Sequence, residues 1–118
     1  KLDVKKEWFD LVIDAMLEVN KTGTASKVMG NLPYQSAGKT GTAQVFTIKQ
    51  DEEYDSEKVP ERLKDHSLYI GFAPVKNPKV AVAVVVENGG FGVTAATPIA
   101  KLVFNYYLLK KSSNGTIN

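Results

Sequence analysis

The run Val80-Ala81-Val82-Ala83-Val84-Val85-Val86 is aliphatic throughout, the composition of a strand that meets apolar neighbours. Just upstream, Ser67 to Ala73 alternates and sets Leu68, Ile70 and Phe72 on one face. Pro74 ends that segment and Asn77-Pro78 marks a turn. Two strands so close in sequence pair as an antiparallel hairpin, and the β-branched and aromatic residues from Lys39 to Lys49 supply a third. The unbroken aliphatic run predicts that the strand 80–86 is central and covered on both faces.

Helices flank this unit. From Lys5 to Asn20 apolar residues recur at helical spacing through Trp8, Leu11, Val12, Ala15, Met16 and Val19, with Asp3 placed to cap the start. Phe9, Ile13 and Leu17 widen the apolar surface and leave an acidic stripe of Asp10, Asp14 and Glu18. The helix is therefore expected to be buried on most sides, Trp8 and Met16 in the core, with the stripe in solvent. Asn20 to Asn31 reads as a turn-rich passage, and Gln50 to Asp65, dense in charge and holding Pro60, as a long surface loop. Thr97-Pro98 offers an N-cap and a first-turn proline to a second helix carrying Ile99, Leu102, Val103, Tyr106 and Leu109, and Ser112 to Asn118 is a polar, disordered tail. The fold class is α+β, with no repeat and no second domain over 1–118: helix, strand, long loop, strand, strand, helix.

Composition narrows the chemistry. Of 118 residues, 43% are hydrophobic and 24% charged, and the formal charge of +2 comes from basic and acidic residues well mixed. That balance argues for neither a nucleic-acid partner nor an anionic membrane surface. The absence of cysteine excludes disulfides, thiol catalysis and zinc–thiolate sites, and a single histidine excludes a histidine-rich metal centre. No cofactor and no metal are expected. No run approaches the roughly 20 apolar residues that span a bilayer, and Lys1 to Lys6 has neither an initiating methionine nor a signal-peptide core. The chain is expected to begin inside a longer gene product.

The chemistry-bearing stretch is Gln35 to Gln44, which joins Lys39, the hydroxyls of Thr40 and Thr42, and the glycines 38 and 41. A point cation, short donors and bare backbone suit recognition of an anion. Gly38-Lys39-Thr40 is not a P-loop, because Pro33 stands where its first glycine belongs and a strand follows instead of a helix. Glu87-Asn88-Gly89-Gly90-Phe91-Gly92 lacks the spacing of a phosphate cradle and reads as a flexible turn. Ser36-Ala37-Gly38-Lys39 matches S-x-x-K only formally, since residues three apart on a strand face opposite ways. Ser112-Ser113-Asn114 matches S-x-N in the tail. Asp65-His66-Ser67 is not a triad, whose members converge from separate places, and its histidine is expected to bond locally.

Lys39-Thr40-Gly41-Thr42 resembles the K-T-G box of penicillin-recognising acyl-serine enzymes. The resemblance extends in order through Trp8 to Val19 with Gly23-Thr24-Ala25, Ala37 to Val45, Asp65 to Pro74, Val80 to Gly90 and Ala96 to Ala100. On these blocks the chain is similar to the C-terminal part of the transpeptidase domain of class B penicillin-binding proteins, in the penicillin-binding protein 2 group of the cell-elongation machinery. The fold implied is serine β-lactamase-like, with antiparallel strands flanked by helices.

The resemblance implies a peptidoglycan D,D-transpeptidase that cross-links stem peptides through an acyl-serine intermediate and is acylated by β-lactams. Lys39 and Thr42 are the catalytic candidates: Lys39 for positive potential and proton transfer, the Thr42 amide as an oxyanion donor. Lys39, Thr40, Gly41 and Thr42 are the substrate-binding candidates, with both threonine hydroxyls donating to a terminal carboxylate and Gly41 keeping the strand open. The nucleophilic serine, its lysine and the serine–asparagine motif precede this box in the family and are expected upstream of Lys1. Implied partners are D-Ala-D-Ala stem peptides, β-lactams, the upstream part of the same domain, and the elongation glycosyltransferase and scaffold proteins. The implied location is the bacterial inner membrane with the domain in the periplasm. The alternatives are a non-catalytic β-lactam sensor, a serine β-lactamase relative, and a small α+β interaction domain with no use for Lys39.

Overall fold

The computed structural model describes residues 3–45 and 59–110. Helix α1 spans Lys6–Lys21, a single turn of helix α2 spans Ser26–Met29, and strand β1 spans Ala37–Ala43. After a 3-10 turn at Glu61–Leu63 come β2 (His66–Ala73), β3 (Val80–Val86) and helix α3 (Ala96–Asn105), which widens into a π-type turn over Tyr106–Lys110. Among the described residues the three strands form one antiparallel sheet, as the sequence predicts, and their order is β1-β2-β3. Asn77, at positive φ, shapes the β2–β3 connection.

Among the described residues the helices cover one face of the sheet. The register aligns Thr40, Tyr69 and Val84, then Gly38, Gly71 and Val82, then Thr42, Ser67 and Val86. Tyr69 and Val84, with Val82 and Val86, join Ala25, Met29, Ala96, Ala100 and Phe104 in the core cluster. The opposite face carries Lys39, Ile70 and Ala83 in register, and there Ile70 is 54% and Val85 66% exposed.

Several expectations are corrected. β2, not β3, is the central strand, and β3 alternates half-buried and exposed residues, because among the described residues the helices supply apolar partners to one face alone. Leu68, Ile70 and Phe72 do share a face, but it is the less buried one; Tyr69 and its small neighbours face the helices. Helix α1 is not buried on most sides: Trp8, Phe9, Leu11 and Val12 are exposed, and Met16, Leu17, Val19 and Asn20 at its C-terminal half are the better covered. Asp3 makes no cap, since Lys5 is the capping position and no side chain bonds there. The acidic stripe is in solvent, with Asp10 paired to Lys6 and Glu18 accepting from the Thr22 hydroxyl. The turn-rich passage contains α2, and α3 begins at Ala96 with Ala95 as cap residue. Strand β1 is shorter than expected; residues 46–49 of the expected strand, most of the long loop and the polar tail lie outside the described residues.

One buried polar network joins helix to sheet. Asn20 Nδ2 donates to Ser36 Oγ and to Tyr69 Oη, each at 2.9 Å, and Tyr69 Oη donates to Asn20 Oδ1 at 3.1 Å. All three side chains are buried, so each polar atom lost strands a partner away from water. The ring of Tyr69 reaches this network by lying across glycines: a Cβ on Gly38 would stand 2.1 Å from Tyr69 Oη, and one on Gly71 2.8 Å from the ring. Burial pushes the Tyr69 phenol up to about 12, and its bond with Asn20 offsets part of that rise.

Tyr69→Phe is expected to cost about 1–3 kcal/mol by leaving the Asn20 amide short of a partner, and Gly38→Ala about 1–3 kcal/mol or more by overpacking. Thermal unfolding of the double variant should cost less than the sum, because removing Oη relieves the closest clash; full additivity would show that the two do not meet. The raised phenol also predicts alkaline sensitivity. Stability from neutral Tyr69 is complete below the unfolded value near 10 and is lost as pH rises towards about 12. Unfolding midpoints across that window should fall more steeply for the parent than for Tyr69→Phe.

Candidate functional site

Among the described residues β1 is an outer strand, so its free edge offers backbone groups as well as side chains. Along it, strand alternation divides the K-T-G residues. Lys39 stands on the open face beside Ile70, whereas Thr40 and Thr42 stand on the helix-covered face beside Tyr69 and Ser67. The Lys39 ammonium is exposed and donates to the Thr40 carbonyl at 2.7 Å. A cation on one side of the edge and two hydroxyls on the other can grip an anionic chain end lying along it.

Each hydroxyl has a fixed neighbour. Thr40 Oγ1 lies 3.0 Å from Thr24 Oγ1, which projects from the turn between α1 and α2. Thr42 Oγ1 accepts from the Gly92 amide at 3.4 Å. Gly41 sits against Leu68, whose Cβ would be 3.2 Å from any added Cβ.

The turn between β3 and α3 is tied down by close contacts, which corrects its reading as a flexible loop. A Cβ on Gly92 would lie 2.4 Å from the Gly41 carbonyl oxygen and 2.6 Å from that of Leu68, so bare backbone alone can cross the β1–β2 ladder there. The Gly92 carbonyl accepts from both the amide and the hydroxyl of buried Thr97 at the start of α3. Ser67, also buried, donates to the Phe91 carbonyl and accepts from the Ala96 amide. Asn88, at positive φ, donates its amide to His66 Nδ1 at 2.9 Å and its side chain to the carbonyls of Arg62 and Lys64. The Gly90 amide donates to the Asp65 carbonyl.

Asp65, His66 and Ser67 therefore bond to separate partners and form no triad. Ser36 is buried against Asn20 while Lys39 is in solvent, so the formal S-x-x-K pair does not meet. Among the described residues no group of acidic, histidine or cysteine side chains could hold a metal. A cavity bordered by Leu17, Asn20, Met29, Tyr34 and Ser36 lies behind β1, and none of its lining residues belongs to Lys39–Thr42. Burial in that region pushes the Tyr34 phenol up, and the phenol donates to Asn105 on α3 at 2.7 Å. Thr24, Gly92 and the Asn20–Tyr69 pair escape assignment from sequence: their residue types are visible there, but the partners lie 16 to 50 residues away.

Comparison with known proteins finds relatives of the chain. Residues 1–105 match the family model of the penicillin binding protein transpeptidase domain. The chain is 43% identical over 103 residues to peptidoglycan D,D-transpeptidase MrdA of Escherichia coli K12, covering 86% of this chain and 16% of that relative. Helicobacter pylori penicillin-binding protein 2, solved in complex with MreC, superposes with a TM-score of 0.71 at 25% identity over 92% of this chain and 19% of that one. Penicillin-binding protein A of Mycobacterium tuberculosis, solved as an imipenem acyl-enzyme, gives 0.61 at 35% identity over 89% and 20%. The chain thus spans about a fifth or less of the proteins it resembles, and with its sheet and K-T-G strand it belongs to the penicillin-binding protein transpeptidase family.

Proposed function

We propose that this chain supplies the K-T-G wall of a serine D,D-transpeptidase that cross-links peptidoglycan stem peptides and is acylated by β-lactams. The observation that carries this reading is the exposed outer edge of β1, with Lys39 on one face and the hydroxyls of Thr40 and Thr42 on the other. The relatives' names support it: one is a peptidoglycan D,D-transpeptidase and another was captured acylated by imipenem. In this reading Thr40 and Thr42 donate to the terminal carboxylate of D-Ala-D-Ala, and Gly41 lets the substrate backbone approach. Lys39 supplies positive potential to the proton-transfer path. The Thr42 amide is one oxyanion donor, acting on charge that develops in the tetrahedral transition state.

The reaction is two acyl transfers. A serine oxygen bonds to the penultimate D-Ala carbonyl carbon, its proton passes to the departing amine, and the terminal D-Ala leaves. An amine from a neighbouring stem then attacks the ester, forms the cross-link amide and gives up one of its own protons to the departing serine oxygen. The serine, its lysine and the serine–asparagine motif are assigned to sequence N-terminal to this chain in the complete protein. No helix among the described residues is long and apolar enough to cross a membrane. A membrane anchor elsewhere in the protein and a periplasmic site of action belong to the same proposal, as do scaffold and glycosyltransferase partners. The scaffold is supported by the MreC complex of the Helicobacter pylori relative.

Two measurements test this. The complete protein treated with a labelled penicillin and then digested should carry its adduct on a serine outside residues 1–118, and an adduct on Ser26, Ser36 or Ser67 would overturn the assignment. Lys39→Ala should slow acylation about 10²- to 10⁴-fold, the scale of a lost proton-transfer group, with thermal unfolding unchanged because the side chain is exposed. Undiminished acylation would remove Lys39 from the site. Turnover of a D-Ala-D-Ala peptide by the complete protein separates the transpeptidase from a β-lactam sensor.

A further inference from the structure

The hydroxyl of Thr40 has a partner within the protein, because Thr24 Oγ1 stands 3.0 Å away. Thr24 is delivered there by a turn fixed on both sides. Gly23 lies so close to the end of α1 that an added Cβ would be 2.9 Å from Val19 Cα, and its amide donates to the Glu18 carbonyl. Ala25 is fully buried in the core, and its amide donates to the Val19 carbonyl. Between these anchors the Thr24 side chain is exposed and directed at β1.

A hydroxyl can donate one hydrogen and accept at its lone pairs. In the free site either threonine could donate to the other. A carboxylate at Thr40 removes that ambiguity: an ionised acceptor makes the stronger bond, so the Thr40 hydrogen turns to it and the Thr24 hydroxyl must donate to Thr40 Oγ1. The two bonds then polarise each other in one chain. Gly92 treats Thr42 in the same sense, since its amide donates to Thr42 Oγ1 and leaves that hydroxyl's hydrogen for a ligand.

We propose that Thr24 is a positioning residue for carboxylate recognition, donating to Thr40 Oγ1 so that the Thr40 hydroxyl is presented to the terminal carboxylate of the acyl donor. This rests on the reading of Thr40 as a carboxylate donor, and the experiment separates the two. In the complete transpeptidase, acylation rate constants are measured with a penicillin bearing its free carboxylate and with the methyl ester of the same penicillin. Thr24→Val should slow the free acid about 3- to 10-fold, the scale of one net hydrogen bond, and leave the ester rate unchanged. Thr24→Ser should restore the free-acid rate, and Thr24→Val with Thr40→Val should be no slower than Thr40→Val alone.

Equal slowing of acid and ester would make Thr24 a structural residue and overturn the proposal. So would additive effects in the double variant, or no slowing at all. If Thr40→Val itself fails to distinguish acid from ester, the carboxylate reading falls and the role of Thr24 with it. If Thr40→Val distinguishes them and Thr24→Val does not, the role of Thr24 alone is overturned. Thr24→Ala, with no branched side chain to accommodate in the turn, gives the same comparison should Thr24→Val fold poorly.

Discussion

The Asn20–Tyr69 bond decides where the K-T-G strand lies. It spans 49 residues of sequence and is buried, so it holds the end of α1 against the middle of β2 at a fixed distance. Between those two anchors β1 enters through Ser36, itself bonded to Asn20, and Gly38, which admits the Tyr69 phenol. A buried polar network of this kind is favourable only when every member is satisfied, which leaves β1 little freedom of position. The positions of exposed Lys39 and half-buried Thr40 follow directly, with their geometry inherited from behind.

A second brace works from the other end. Gly92 crosses the β1–β2 ladder at Gly41, donates its amide to Thr42 Oγ1 and accepts at its carbonyl from Thr97. The start of α3 and the box strand are thereby joined through one residue without a side chain. A strand braced at both ends is pre-organised, and under the proposed function little ordering would remain to be done when a substrate binds along it. The split of Lys39 from the threonines across the strand is a consequence of alternation alone, and it places charge and hydroxyls on either side of the same free edge.

Sequence patterning made the elements legible where the signal is local. The hairpin, the strand character of Lys39–Thr42 and the two long helices all come from spacing between near neighbours, and the rejection of a P-loop and of a triad follows from the same rules. Where sequence reading misjudged burial, the cause is common to every case. Apolar side chains on α1, on the open face of β2 and on alternate positions of β3 have the composition of a core, yet burial depends on which partners the chain itself brings to each face. Among the described residues the helices cover one face only. The glycines of the β3–α3 turn misled in the opposite direction, because bare backbone serves flexibility and close approach equally well in sequence.

By itself, the sequence determined the order of elements, the absence of thiol chemistry, and the presence of a cation beside two hydroxyls on a strand; these depend on residue type and on periods of two or 3.6 residues. The ordered blocks around that strand also determined the family. Only the tertiary structure decided that Thr24 meets Thr40, that Gly92 meets Gly41, and that Tyr69 closes on Asn20 through the space left by Gly38. Such contacts follow from how the helices and sheet come together in space, and no local pattern encodes a partner dozens of residues away.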